Sequence, residues 1–145
     1  MKAVGVSNFH AHHLDALEKS VSIRPMVNQI RLCPGDAKDE VVKTSRAGNM
    51  LIEAYSPFGG SGGENILASP FLETLSKKYG RTASQICVRW CLQKDFLPPP
   101  KSASAEHIAA NIKVFDFEIT EEDMRTLDGL PGYSDPFPHP DYITW

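Results

Sequence analysis

Four short apolar runs, each separated from the next by a helix-patterned segment and each breaking into polar residues at its C-terminal end, predict an α/β fold of consecutive βα units. With the strands parallel and their polar ends gathered on one rim, this pattern fits a partial (β/α)8 TIM barrel of four βα units plus a C-terminal loop. A doubly wound dinucleotide-binding sheet fits less well, because no Gly-x-Gly-x-x-Gly follows any of the runs.

The first run, residues 3–6, is small and apolar and breaks into Ser7-Asn8. It reads as a buried parallel strand delivering two polar side chains at the end where such folds place their chemistry. A strand this close to residue 1 implies that whatever normally precedes it is missing. Residues 10–20 carry Leu14 and Leu17 at helical spacing, with Asn8 as the expected N-cap. Residues 25–30 read as the second strand, and residues 36–47 as a helix ending at Gly48, where a left-handed cap is expected. Residues 50–55 make the third strand, followed by a glycine-rich break over residues 59–63. Two helices then end near Gly80 and Lys94, the second opening on the capping-box pattern Thr82-Ala83-Ser84-Gln85. Residues 96–100 are the fourth and weakest strand, since Pro98, Pro99 and Pro100 each remove a ladder donor. Helices over residues 104–115 and 120–127 close the regular part, the latter with a Thr120/Asp123 box. The proline- and aromatic-rich residues 131–145 read as a loop laid over another surface, so that one domain, 1–145, comprises βα units (1–130) and this loop.

With 145 residues, 41% hydrophobic and 23% charged, the chain can bury one core. A net charge of -3 without a basic stripe excludes nucleic acid as an expected partner. No run has the length of a spanning helix or the apolar core of a signal peptide, so no membrane partner is expected and the location expected is cytoplasmic. Cys33, Cys87 and Cys91 lack metal-ligand spacing and read as reduced thiols on a buried face. His10, His12 and His13 form a weaker metal candidate; no carboxylate or cysteine nearby in sequence completes a shell, and a solvated helix start is expected instead.

The strand ends supply Ser7 and Asn8, then Gln29, then Tyr55 and Ser56, then Lys101 and Ser102. Together they offer amide and hydroxyl hydrogen bonds, one flat aromatic face and one cation beside a helix start, which suits a ligand with a carboxamide, a planar ring and phosphates. Ser102, Ser104 and the free backbone donors of the helix beginning there make an anion site, to which Lys101 adds charge. Singly, Ser104 is an ordinary N-cap, Gln29 a satisfied core amide and Tyr55 a packing residue; their common placement is what favours function.

Gly5-Val6-Ser7-Asn8-Phe9, Asn28-Gln29-Ile30, Ala54-Tyr55-Ser56-Pro57 and Pro100-Lys101-Ser102, followed by Asn111 and Val114-Phe115-Asp116-Phe117, resemble the aldo-keto reductase family in register and order. The match runs from about Lys2 to the tail and covers only the family's C-terminal half. It implies an NAD(P)H-dependent reductase of aldehydes or ketones that binds NADPH in extended form across the barrel rim. By position, Ser7, Asn8 and Gln29 would bind the nicotinamide carboxamide and Tyr55 would stack on its ring. Ser56 and Phe58 would follow the pyrophosphate, Lys101, Ser102 and Ser104 would face the 2'-phosphate, and Asn111 would reach the adenine. The family's usual arginine on the 2'-phosphate is His107 here, which cannot offer the planar, always-charged fork, so NADH becomes possible. The acidic residue often preceding the asparagine is Ala110.

The family's catalytic tyrosine, lysine, aspartate and histidine come from earlier strands, so no catalytic residue is assigned in this chain. Without its proton donor a reductase loses the ~10²- to 10⁴-fold contribution of general acid catalysis. A small carbonyl substrate is expected only if the missing half is supplied. Half a barrel leaves two unpaired edges and an open interior, with Ala3, Val4, Val6, Ile30, Leu51 and Ile52 as the expected exposed faces, so a homodimer through the open edges, or aggregation, is expected rather than a monomer. The alternatives are a truncated gene product and a non-catalytic nucleotide-binding or protein-interaction module.

Overall fold

The four apolar runs pair side by side, all parallel and in chain order, as β1 (Gly5–Ser7), β2 (Val27–Arg31), β3 (Leu51–Tyr55) and β4 (Phe96–Leu97). The computed structural model describes residues 2–60, 65–131 and 140–142. Six α-helices lie among the described residues: α1 (Ala11–Glu18), α2 (Asp39–Ala47), α3 (Pro70–Tyr79), α4 (Ala83–Gln93), α5 (Ala105–Asn111) and α6 (Glu121–Asp128). β4 is two residues long because the prolines begin at Pro98, and its ladder stops there.

Register decides which side chains are covered. Ser7, Gln29, Glu53 and Leu97 lie abreast, as do Asn28, Ile52 and Phe96 on the opposite face. The second face packs against the helices: Ile30, Ile52, Ala54 and Phe96 join Leu72, Leu75, Ile86 and Trp90 in one core. Each such large apolar side chain contributes about 1.5–3 kcal/mol when fully buried. Trp90 is fully buried, and its indole N–H donates to Asp128 Oδ1 at 2.8 Å, which satisfies its one polar atom. The first face is open, with Leu51 66% and Leu97 59% exposed. The expectation that Ile30 and Ile52 stand exposed is therefore corrected. At 1% and 2% exposure they belong to the helix-covered face, because alternation puts them opposite Leu51. Ala3 is exposed as expected, and Val4 and Val6 are half-buried.

Helix ends follow local chemistry with four departures from expectation. The chain turns at Asn8, in the left-handed region at φ 56°, and α1 starts later with His10 as its N-cap, so Asn8 is not the cap. After α2 the left-handed residue is Asn49 (φ 57°), not Gly48 (φ −81°); an asparagine tolerates that region well enough to take the turn. At α6, Asp123 N–H donates to Thr120 Oγ1, but the Thr120 N–H goes to Tyr79 Oη at 3.0 Å, so the expected box is half formed. The Thr82/Gln85 box is complete, at 3.2 and 2.9 Å. Helix α5 ends at Asn111, short of the expected residue 115.

Candidate functional site

The C-terminal ends of β1 and β2 meet through one carbonyl. Gln29 O accepts from Asn8 N–H at 2.9 Å and from Ser7 Oγ at 3.1 Å, and Asn8 Nδ2 donates to Ser7 Oγ at 3.3 Å. The Gln29 side chain points across the open face, where its Nε2 donates to Glu53 Oε1 at 2.6 Å. On the covered face Asn28, fully buried, grips the next segment. Its Nδ2 donates to Phe9 O and Ser45 Oγ at 2.9 Å each, and its Oδ1 accepts from Phe9 N–H at 3.3 Å. Ser7, Asn8 and Gln29 are thus brought together, and two residues that sequence reading passed over, Asn28 and Glu53, hold them there. The signal for Asn28 was a polar residue at a helix-facing strand position.

Tyr55 ends β3, abreast of Arg31, and the chain turns at once at Ser56 (φ 52°). Gly59 N–H closes the turn onto Ser56 O at 2.9 Å, and Gly60 sits at φ 72° with room for no more than hydrogen, since a Cβ would stand 2.9 Å from Ser56 Oγ. Arg31, 1% exposed, anchors this turn: it donates to Asp36 Oδ2 at 2.8 Å and to Gly59 O at 2.6 Å. Arg31 is also a functional support that sequence reading missed.

Beyond Phe58 lies a cleft of about 450 Å³ in which Phe58, Lys101, Ser102, His107 and Asn111 come together. Thr82, Ala83 and Ser84 at the start of α4, with Leu67, complete its wall and were not foreseen. Gln85 keeps the wall in place by donating to Ala110 O and Lys113 O at 3.0 and 3.1 Å. Lys101 and His107 are exposed, whereas Asn111 is 9% exposed and its buried Oδ1 has no hydrogen-bond partner among the described residues. A buried acceptor without a donor is uncommon and suits a ligand's N–H. Ser104 is not free to the same degree, because its Oγ caps α5 by accepting from His107 N–H.

Two other clusters belong elsewhere. Cys33, Cys87 and Cys91 are buried and form no disulfide; burial pushes the Cys87 and Cys91 thiols far up, which keeps them protonated and inert. Asp141 Oδ1 meets His12 Nε2 at 3.0 Å and His13 Nε2 at 2.8 Å, so the tail supplies the carboxylate that the neighbouring sequence lacks. His13 Nδ1 accepts from His10 N–H at 3.0 Å, which places its proton on Nε2 and makes this a hydrogen-bonded clamp. The rest of the expected tail loop lies outside the described residues, as do residues 61–64 of the glycine-rich break.

The profile of the Aldo/keto reductase family matches residues 1–131. The chain belongs to the aldo/keto reductase family. Among relatives of this aldo/keto reductase chain, the 9,11-endoperoxide prostaglandin H2 reductase of Trypanosoma cruzi is 39% identical over 130 residues, covering 90% of this chain and 46% of that protein. The glyoxal reductase of Bacillus subtilis is 34% identical over 143 residues, covering 99% of this chain and 51% of that protein. An aldo-keto reductase from a Medee basin deep-sea metagenome library superposes with a TM-score of 0.91 at 32% identity, over 99% of this chain and 53% of that one. A Bombyx mori aldo-keto reductase in complex with NADP gives a TM-score of 0.84 at 30% identity, over 97% and 48%. The chain therefore spans about half the length of the relatives it matches, and its sheet is part of their (β/α)8 barrel. No helix among the described residues is long and apolar enough to cross a membrane.

Proposed function

We propose that this chain is the cofactor-holding part of an NAD(P)H-dependent aldo-keto reductase. The observation that carries the reading is the one rim with two unlike ends: the Ser7, Asn8 and Gln29 cluster at β1 and β2, and beyond β3 the cleft lined by Lys101, Ser102, His107 and Asn111, whose Oδ1 has no partner among the described residues. Ser7, Asn8 and Gln29 take the nicotinamide carboxamide, and Tyr55 stacks on its ring. Ser56 and Phe58 follow the pyrophosphate. Lys101, Ser102 and His107 face the 2'-phosphate, with Ser104 acting through its cap, and Asn111 accepts from the adenine amine. With a histidine in place of an arginine fork, NADH is tolerated beside NADPH.

When bound, the reduced cofactor supplies the hydride that turns an aldehyde or ketone into an alcohol. This chain's residues bind and orient it. We assign no proton donor among the described residues of the sheet and its helices: Tyr55 is given to stacking, and Tyr79 Oη is held at 2.5 Å from Asp123 in the joint between α3 and α6. Carbonyl reduction accordingly requires the rest of the family's barrel, with its proton donor, across the open β1 and β4 edges; a second copy of this chain could cover those edges but brings no donor of its own. A monomer unfolding in one concentration-independent transition counts against the second copy. Three buried thiols without a disulfide suit the cytoplasm.

The test is a fluorescence titration of the 145-residue chain with NADPH. Saturable binding that weakens about tenfold in Lys101→Ala, the cost of one charge-assisted contact, is expected. A folded chain that leaves NADPH free overturns the reading.

A further inference from the structure

We propose that Glu53 sets the polarity of the Gln29 amide, and so makes this end of the site select a carboxamide over a carboxylate. The inference rests on the cofactor reading above. Gln29 and Glu53 are register partners on the open face of the sheet, with Nε2 donating to Oε1 at 2.6 Å. A carboxylate can only accept, so the Gln29 NH₂ group must turn toward Glu53 and the carbonyl oxygen away from it. Gln29 Oε1 has no partner among the described residues and is left as an acceptor for a ligand.

The neighbouring groups have the same bias. Ser7 commits its hydroxyl proton to Gln29 O, so its oxygen can take Asn8 Nδ2 only as a donor, and Asn8 Oδ1 is left as a second acceptor. A nicotinamide carboxamide brings two N–H donors to these two oxygens. The nicotinic acid form of the same dinucleotide brings none, and adds negative charge beside Glu53. The discriminating element is therefore repulsive as well as attractive. Glu53 touches neither ring nor hydride; it is a positioning residue that acts through Gln29.

Glu53→Gln keeps the shape and removes the constraint, because an amide at 53 can donate as well as accept and lets Gln29 turn its NH₂ outward. Glu53→Leu removes the partner altogether. The experiment measures dissociation constants of NADPH and of its nicotinic acid analogue for the 145-residue chain and both variants, with thermal melting and side-chain amide ¹⁵N spectra of Gln29 alongside. Expected is a preference for the amide form of about tenfold or more in the wild type, collapsing in both variants through tighter binding of the acid form, while the Gln29 amide signal shifts. An undiminished preference in a folded Glu53→Gln chain overturns the inference and leaves the cofactor reading standing. A folded wild-type chain that binds neither dinucleotide overturns both.

Discussion

Arg31 Nη2 donates to the carbonyl oxygen of Gly59 at 2.6 Å, and this bond fastens the end of β2 to the turn that follows β3. Because Arg31 is 1% exposed and also pairs with the part-buried Asp36, the turn is held by a buried charge. Arg31→Met should destabilise the chain by about 2–3 kcal/mol in urea unfolding, since it leaves the buried Gly59 carbonyl without its donor and Asp36 with Lys38 alone. Amide exchange at Gly59 and Gly60 should rise more than exchange in β2. An unchanged exchange pattern would mean that the turn holds its own shape.

His107 stands on the wall of the cleft where the 2'-phosphate is proposed to lie. An imidazole lacks the planar, two-pronged donor fork of a guanidinium, so His107→Arg should raise NADPH affinity about tenfold and leave NADH affinity steady. Parallel titrations with both cofactors decide it: an unchanged ratio of the two affinities in the variant removes position 107 from phosphate recognition.

Asp123 joins α3 to α6. Burial alone would raise its carboxyl, but hydrogen bonds from Lys78, Tyr79 and Thr120 outweigh burial and hold it below the usual carboxylate range. A carboxyl depressed in the folded state contributes stability that is whole above the unfolded value near pH 4 and is lost as pH falls through the folded one. Melting temperature should therefore drop below about pH 4, and Asp123→Asn should lower stability at neutral pH while flattening that acid slope. An equally steep slope in the variant would assign acid sensitivity to other carboxylates.

The elements of this fold were legible because their signals are local. Thr82 and Gln85 cap each other three residues apart, and the complete box forms. Apolar runs between helix patterns announced all four strands, although β1 settles two residues later than the apolar run begins, where Ser7 pairs with Gln29. Of the site, the rim residues were readable as polar endings of strands. Their supports were not: Asn28 reaches Phe9 across 19 residues and Arg31 reaches Gly59 across 28, and nothing in either neighbourhood names the partner.

By itself, then, the chain of residues determined the order of βα units, most of the helix starts and the set of side chains at the strand ends, because periodicity and capping act within one or two turns. The tertiary structure decided which face of each strand is covered, putting Ile30 and Ile52 inside and Leu51 outside. It also decided that Asp141 closes on His12 and His13, that Asn111 Oδ1 is buried with no partner among the described residues, and that Gln29 donates to Glu53. Those outcomes depend on strand register and on groups meeting through space, and a one-residue slip would reverse each strand's faces without changing a single local preference.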